Sequence, residues 1–239
     1  MISGKCFSEK CKWVFDPRYP ERPTFDHTIA VSGDWVFVNG DYITHLISRI
    51  PLLFIGGKKF VFVVHNSDLP FGMQQFRLLL PHAIHIYAIN TTIRHPLLTT
   101  IPIGFVDKQL PLLTGFRGGS SEKDYEIYAN FTVTTNSIKR KECLDTFKTD
   151  SRLVYRQNLT VPEYFMDLCK SRFVLCPEGT GIDTHRVYEA LYCGATPVVL
   201  RNSLSHLYEK LPICIVDNWT DPFYVPEQRN FDTSVDKYL

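Results

Sequence analysis

Short apolar runs alternate with amphipathic stretches along most of this chain, and this alternation predicts an α/β protein. Runs such as 61–64 (VFVV) have the length and composition of buried strands. The regular order of strand, helix and strand favours parallel sheets. The predicted strands are 35–39, 60–65, 84–89, 100–103, 127–132, 153–155, 173–175, 197–200 and 213–216, and the predicted helices are 41–50, 72–80, 137–148, 161–170, 184–193 and 203–210.

The alternation stops at residues 107–124, where Pro, Gly, Ser and charged residues are typical of a linker. We therefore predict a first domain over 1–115, a second over 116–220, and a polar, Pro-containing tail over 221–239 that crosses back to the first. The expected fold class is α/β, with two Rossmann-like domains facing across a cleft. Open α/β sheets bind ligands at the carboxyl ends of their strands, so the cleft is the expected ligand position.

Residues 171–200 carry the strongest functional pattern, because a strand, a glycine turn and a helix start follow one another without a gap. The turn 177–181 (PEGTG) follows the strand, and its glycines let backbone N–H groups approach a ligand. Asp183 or Thr184 is suited to cap the next helix. The amino end of a helix offers unpaired N–H donors and a positive dipole, which favour an anion. The segment therefore predicts a phosphate site.

Two charged residues of this helix project from one face, since Arg186 lies in the first turn and Glu189 three residues later. Arg186 is suited to a phosphate and Glu189 to a sugar hydroxyl. Val187, Ala190 and Leu191 form the opposite, core-facing stripe. The alternative is an ordinary β-α-β unit with caps and a surface ion pair, and only the combination of features favours a ligand site.

Polar residues also follow two strands of the first half. His65 and Asp68 come at the end of the strand 60–65, and Asp41 follows the strand 35–39. Partial burial at a strand end would suit Asp68 as a general base, with Asp41 second and His65 third. The alternatives are an N-cap for Asp41 and a turn residue before a proline for Asp68.

A third strand end, in the second half, precedes a helix that carries Lys139, Arg140 and Lys141. Three cations on one helix usually form a solvated face. Because this helix begins at a strand end, we expect Arg140 to reach a diphosphate there.

Composition excludes several classes of function. Lys and Arg total 26 against 25 acidic residues, so the net charge of +1 does not indicate a nucleic-acid partner. No apolar run approaches the ~20 residues of a membrane helix, and no secretory signal is evident. Seven cysteines lie largely in apolar segments, which is typical of reduced thiols. We therefore expect a cytoplasmic protein with no transmembrane segment and no metal site.

The segment from Phe173 to Val199 resembles the donor-binding signature of exostosin-like glycosyltransferases nearly position for position. Weaker matches extend the resemblance over residues 35–216. Two departures are the short chain, which lacks the family's membrane anchor and stem, and Ala195-Thr196 in place of a pair that begins with Cys. The weaker matches are His65-Asn66-Ser67-Asp68, Ile101-Pro102-Ile103-Gly104, Asn130-Phe131-Thr132, and Thr135-Asn136 with Arg140.

The resemblance implies a compact GT-B fold in which the first domain binds the acceptor and the second binds the nucleotide sugar. It implies transfer of a sugar, with xylose a guess, from a UDP-sugar to a glycan hydroxyl, commonly with inversion and without an essential metal or other cofactor. The implied donor-binding residues are Arg140, Pro177, Glu178, Gly179, Thr180, Gly181, Asp183, Thr184, His185, Arg186 and Glu189.

Two other interpretations stay open. An epimerase would also use a nucleotide sugar, although no G-x-G-x-x-G pattern follows an N-terminal strand. A non-catalytic module that binds nucleotide sugars would retain the same signature without turnover.

Overall fold

The computed structural model describes residues 1–50, 57–227 and 230–239 of the protein. These residues form two compact units, Met1–Ile103 with Ser234–Leu239, and Gly104–Thr233. Each unit contains one five-stranded sheet in which all neighbouring strands are parallel. The predicted α/β class with parallel sheets is therefore confirmed.

In the first unit the strands are ordered as they occur in the chain, β1-β2-β3-β4-β5. Every residue of β3 is buried, as expected for a central parallel strand. Apolar side chains of α2 and α3, such as Leu46 and Leu79, pack on one face of the sheet. The elements are α1 (Gly4–Glu9), β1 (Trp13–Phe15), β2 (Trp35–Asn39), α2 (Ile43–Arg49), β3 (Phe60–His65), α3 (Met73–Leu79), β4 (Ala83–Ala88) and β5 (Leu98–Thr100).

Pattern analysis missed α1 and β1 because both are too short to show a periodicity. Ser3 caps α1 by accepting a hydrogen bond from the Cys6 backbone N–H at 3.3 Å. Phe7 of this helix is fully buried and packs against the His65 ring, with the ring centroids 5.3 Å apart. The helix therefore covers the carboxyl end of β3.

In the second unit the strand order is β10-β9-β8-β6-β7, so the order reverses between β6 and β8. The chain runs from β6 outward to β7, and then returns to add β8 on the other side of β6. Such a reversal lets the loops that follow the two strands diverge. The elements are α4 (Leu110–Leu113), β6 (Tyr125–Ala129), α5 (Ser137–Phe147), β7 (Leu153–Tyr155), α6 (Val161–Lys170), β8 (Ser171–Leu175), α7 (His185–Tyr192), β9 (Thr196–Leu200), α8 (Ser205–Tyr208) and β10 (Cys214–Val216).

Residues 107–124, predicted to form a linker, are instead folded within the second unit. Phe116 packs on Phe165 of α6 with ring centroids 5.4 Å apart. Gly118 and Gly119 have positive φ values of 82° and 66°, and the Gly118 N–H donates to the Tyr192 carbonyl at 2.8 Å. The glycines thus serve a backbone conformation that other residues rarely adopt, not flexibility.

The C-terminal segment contributes to both units. Phe223 packs on Phe173 within the second unit, and the Tyr87 hydroxyl donates to the Leu239 carbonyl at 2.7 Å within the first. Residues 228–229 of the predicted tail lie outside the described residues. No helix in the described part of the chain has the length and hydrophobicity needed to cross a bilayer.

Candidate functional site

The candidate site lies at the carboxyl ends of β6 and β8, where the strand order of the second sheet reverses. Ile127 pairs with Phe173 and Tyr128 with Val174, so the two strands end at the same level. The loop after β6 leads into α5, and the loop after β8 leads into α7. A reversal of this kind is where open α/β sheets bind their ligands.

Arg140 of α5 is the buried cation of this site. It is 7% exposed, whereas its neighbours Lys139 and Lys141 are exposed. Its guanidinium donates to two backbone carbonyls, those of Thr132 at 2.8 Å and Glu178 at 3.1 Å. Burial and, after it, the positive charge of Arg186 together lower the pKa of Arg140 to about 10. The structure therefore singles out Arg140, as expected.

Arg186 of α7 is the second cation. Its guanidinium carbon lies 5.6 Å from the centroid of the Phe131 ring, and that of Arg140 lies 5.5 Å from the same centroid. The Arg186 Nε is buried and has no hydrogen-bond partner in the described residues. Arg186 forms no ion pair there with Glu189, so the surface-pair alternative is wrong.

Two guanidiniums near one aromatic ring, with no carboxylate paired to either in the described residues, leave positive charge uncompensated. Buried cations ordinarily have an anionic partner, because removal from water is costly. The partner chemistry that this arrangement fits is an anion with several oxygens, such as a diphosphate.

The glycine turn is held close to Arg140. A Cβ at Gly179 would lie 2.7 Å from the Arg140 Nη2, so only glycine leaves room for the guanidinium. Asn136 donates to the Gly179 carbonyl at 3.0 Å, and the Gly179 N–H donates to the Gly181 carbonyl at 3.0 Å. The Gly179 N–H is therefore used inside the turn. It is not available to a ligand, although the sequence predicted that it would be. Pro177 is buried and Thr180 is exposed.

Glu178 stabilises the turn through contacts of its carboxylate with other residues of the protein. Its carboxylate forms an ion pair with Lys139 of α5 and accepts from the Asn202 side chain at 3.3 Å. These contacts join the loop after β8 to α5 and to the residues after β9. These contacts give Glu178 a positioning role, and its direct role in donor binding stays a prediction.

Asp183 is a buried anchor. It is 2% exposed and accepts from the Tyr188 hydroxyl at 2.6 Å, the Tyr208 hydroxyl at 2.8 Å and the Thr184 N–H at 3.0 Å. Burial, and then the negative charge of Asp183, raise the pKa of Tyr208 well above its usual value. Asp183 therefore orients the start of α7 from inside the protein, and its contact with a donor stays a prediction.

Thr184 is the N-cap residue of α7, but its hydroxyl makes no capping bond to the helix. The Thr184 Oγ1 is buried without a hydrogen-bond partner in the described residues. It thus lies at the amino end of the helix, like Arg186, as a second polar group whose hydrogen-bonding capacity is unused.

Glu189 and His185 are each held by one contact. Glu189 is 5% exposed and accepts from the Tyr164 hydroxyl of α6 at 2.8 Å. His185 donates from Nδ1 to the Gly104 carbonyl at 2.7 Å, if that nitrogen carries the proton. Both side chains are therefore fixed in orientation before any ligand binds.

In the first unit, Asp41 and Asp68 lie at the carboxyl edge of the sheet and both are exposed. Asp41 accepts a hydrogen bond from the Ser67 hydroxyl. It does not cap α2, because Asn39 caps the preceding turn through the Asp41 N–H at 3.0 Å. The N-cap interpretation of Asp41 is therefore wrong, and the expected partial burial of Asp68 is not found.

His65 is 1% exposed, and it packs beside the rings of Phe7 and Phe37. Its Nδ1 accepts from the Asn66 N–H at 2.8 Å, and its Nε2 lies 3.3 Å from the Pro102 carbonyl. A histidine that is buried and bonded through both nitrogens has a structural role. Its assignment as the third candidate for the base stays a prediction.

The sequence did not predict the residues whose side chains donate hydrogen bonds to the carboxylates of the site. These are Tyr164, Tyr188, Tyr208 and Asn202. All four come from elements that are distant along the chain or on the far face of α7, and no spacing rule joins them to the glycine turn. Phe131 was noted only through the resemblance, although an aromatic residue directly after a strand is a usable signal. No group of three or more His, Cys, Asp or Glu side chains in residues 1–50, 57–227 and 230–239 is arranged to hold a metal ion.

Residues 115–224 match the family model described as the RXYLT1 C-terminal domain. The match contains all five strands of the second sheet and both arginines of the candidate site. It supports a relation to a glycosyltransferase family. A search of curated proteins found no match.

Proposed function

We propose that this protein is a glycosyltransferase that moves a sugar from a nucleoside diphosphate sugar to a hydroxyl group of a glycan. The observation that carries the proposal is the pair Arg140 and Arg186 beside Phe131, at the strand reversal of the second sheet. The family match over residues 115–224 supports it independently.

In this proposal the diphosphate of the donor binds the two guanidiniums. The start of α7 adds its dipole, and the Thr184 hydroxyl adds a hydrogen bond. The second unit is then the donor-binding unit. Because the matched domain is xylosyltransferase-like, UDP-xylose is the first donor to test.

The same residues supply a chemical role. Negative charge builds on the departing diphosphate as the bond to the sugar breaks, so preorganised cations stabilise the transition state more than the ground state. Arg140 and Arg186 supply this stabilisation in the proposal without a metal ion. The reaction proposed is an inverting, single displacement.

An inverting transfer also needs a base that removes the proton from the acceptor hydroxyl. We retain Asp68 as the first candidate and Asp41 as the second, because both are exposed carboxylates at the carboxyl edge of the first sheet. The Glu189 carboxylate, fixed through one oxygen by Tyr164, is proposed to accept a hydrogen bond from a ribose hydroxyl.

The test is a thermal-shift panel of nucleoside diphosphates and their sugars in the presence of EDTA, followed by a transfer assay with the donor that stabilises most. Preferential stabilisation identifies the donor, because at equal concentration a ligand that binds the folded state more tightly raises its stability more. Stabilisation by UDP without sugar release or transfer would favour the binding-module alternative. No stabilisation by any nucleoside diphosphate would overturn the proposal.

A further inference from the structure

A second cluster of reactive side chains lies in the second unit, at the carboxyl end of α7. Cys169 lies in the last turn of α6, and Cys193 directly follows α7. Their side chains lie close enough to interact, and the Cys169 thiol also donates to the Phe116 carbonyl at 3.5 Å. Cys169 is partly exposed and Cys193 is fully buried. The pair therefore has one sulfur within reach of solvent and one behind it.

Lys123 brings a positive charge to the pair. Its Nζ donates to the Cys169 carbonyl at 2.8 Å and to the Gly194 carbonyl at 2.9 Å. The interaction with Cys193, against partial burial and with help from the Lys123 charge, lowers the pKa of Cys169 to about 7. The interaction with Cys169 and burial raise the pKa of Cys193. Cys169 is thus suited to be the attacking thiol and Cys193 to be the resolving thiol.

The backbone fixes this arrangement. A Cβ at Gly119 would lie 1.9 Å from the Cys193 carbonyl oxygen and 3.2 Å from that of Cys169. The Ser120 N–H also donates to the Cys169 carbonyl at 3.2 Å. The segment around Gly119 therefore joins the ends of α6 and α7, so that the two cysteines meet because of the fold and not through side-chain motion.

The other buried cysteines differ from this pair. Burial raises the pKa of Cys176 to about 12 and also raises those of Cys143 and Cys214, which makes these thiols poor nucleophiles. Cys6 is partly exposed like Cys169, but it has no interacting thiol in the described residues. Cys6 is therefore a matched internal control.

We propose that Cys169 and Cys193 form a reversible thiol–disulfide site that reacts with low-molecular-weight disulfides. The Cys169 thiolate attacks one sulfur of the small disulfide, forms a mixed disulfide and releases one small thiolate. Cys193 then loses its proton to solvent and its sulfur attacks the Cys169 sulfur, which releases the second small thiolate. The two cysteines are oxidised by two electrons, and the small disulfide is reduced to two thiols. The product is a covalent link between α6 and α7.

The test uses the full chain, reduced and then incubated with oxidised glutathione, quenched with N-ethylmaleimide and analysed by intact mass and peptide mapping. We expect a species lighter by two hydrogens than the reduced protein, with Cys169 and Cys193 in one linked peptide. Reducing agent should restore both thiols. A persistent glutathione adduct on wild-type Cys169, or reaction no faster than at Cys6, would overturn the proposal.

Variants separate the two steps. Cys193→Ser should accumulate the glutathione adduct on Cys169, since the second attack is removed, and Cys169→Ser should abolish both products. Cys6→Ser should behave as wild type. Cys193→Ala serves if the buried serine hydroxyl impairs folding, with circular dichroism to confirm the fold. A Cys193 variant that fails to accumulate the adduct, while folded, would contradict the proposed order of steps.

Discussion

Arg140 and Arg186 come from different helices, yet their guanidinium carbons lie 5.5 and 5.6 Å from the centroid of one ring, that of Phe131. The two positive charges repel each other. The pKa of Arg140 is lowered by burial and, in addition, by this repulsion from Arg186. A bound anion would remove the repulsion.

Replacement of Arg186 by Ala should weaken UDP binding. Loss of a hydrogen bond to a charged group costs about 1.5–3 kcal/mol, which corresponds to roughly 10- to 150-fold in Kd. Isothermal titration calorimetry of Arg186→Ala measures this, with Arg172→Ala as the control, because Arg172 is exposed and paired with Glu126. Equal affinity of Arg186→Ala and wild type would contradict the phosphate role.

Replacement of Gly179 by Ala should weaken UDP binding while the fold persists. The new Cβ would lie 2.7 Å from the Arg140 Nη2, and the end of this side chain must move to relieve the contact. We expect the free energy of unfolding to change by less than about 1 kcal/mol. Gly115→Ala is the control, since nothing lies within 4 Å of a Cβ there. A Gly179→Ala variant that binds UDP normally would show that the position of Arg140 is not critical.

Replacement of Asp68 by Asn should lower kcat by roughly 10²- to 10⁴-fold, the usual contribution of a general base, and leave donor binding unchanged. Asp41→Asn should have the smaller effect if Asp68 is the base. Transfer rates and UDP affinity are measured in parallel, with Glu122→Gln as an exposed control. Full transfer activity in Asp68→Asn would rule out this assignment.

Stability should fall at alkaline pH. Burial raises the pKa of Tyr208 and of Tyr164, helped by the charges of Asp183 and Glu189 respectively. A tyrosine with a raised pKa keeps its proton in the folded state while the unfolded chain loses it. The stabilisation is thus complete below the unfolded pKa of about 10 and is lost progressively as the pH rises above it.

Denaturant unfolding between pH 8 and 12 tests this pH dependence, a range set by that unfolded pKa of about 10. Tyr208→Phe should make the loss of stability above about pH 10 less steep, by up to ~1.4 kcal/mol per pH unit. Tyr42→Phe is the control, because Tyr42 is exposed. Identical slopes for Tyr208→Phe and wild type would show that Tyr208 does not contribute.

Alkylation of Cys169 by iodoacetamide should rise with pH and reach half its maximum rate at a pH of about 7. The thiolate is the reacting form, and the interaction with Cys193 and the charge of Lys123 both favour it. Peptide mapping over pH 5–9 follows Cys169 and Cys6 in the same sample, a window that brackets the ordinary thiol pKa of ~8.5. Lys123→Met should shift the Cys169 midpoint upward, and an unshifted midpoint would exclude a role for the ammonium.

The sequence by itself determined the elements that are long enough to show their period. Strands β2, β3 and β7 and helix α6 begin and end at the predicted residues, because buried parallel strands and capped helices are encoded by neighbouring residues. The glycine turn, the start of α7 and its core stripe of Val187, Ala190 and Leu191 were predicted for the same reason. Elements α1, β1 and α4 were missed because a few residues carry no period.

Only the tertiary structure decided which polar residues are bonded inside the protein and which keep unused hydrogen-bonding capacity. Asp183 looked like a donor contact, but tyrosines from α7 and α8 bind both of its oxygens. Arg140 was predicted from its place after a strand end, but only the structure shows that it is buried and has no carboxylate partner in the described residues. Charge compensation depends on groups that are far apart along the chain, so no local pattern reveals it. The strand reversal between β6 and β8 brings these groups together, and it is a property of the assembled sheet.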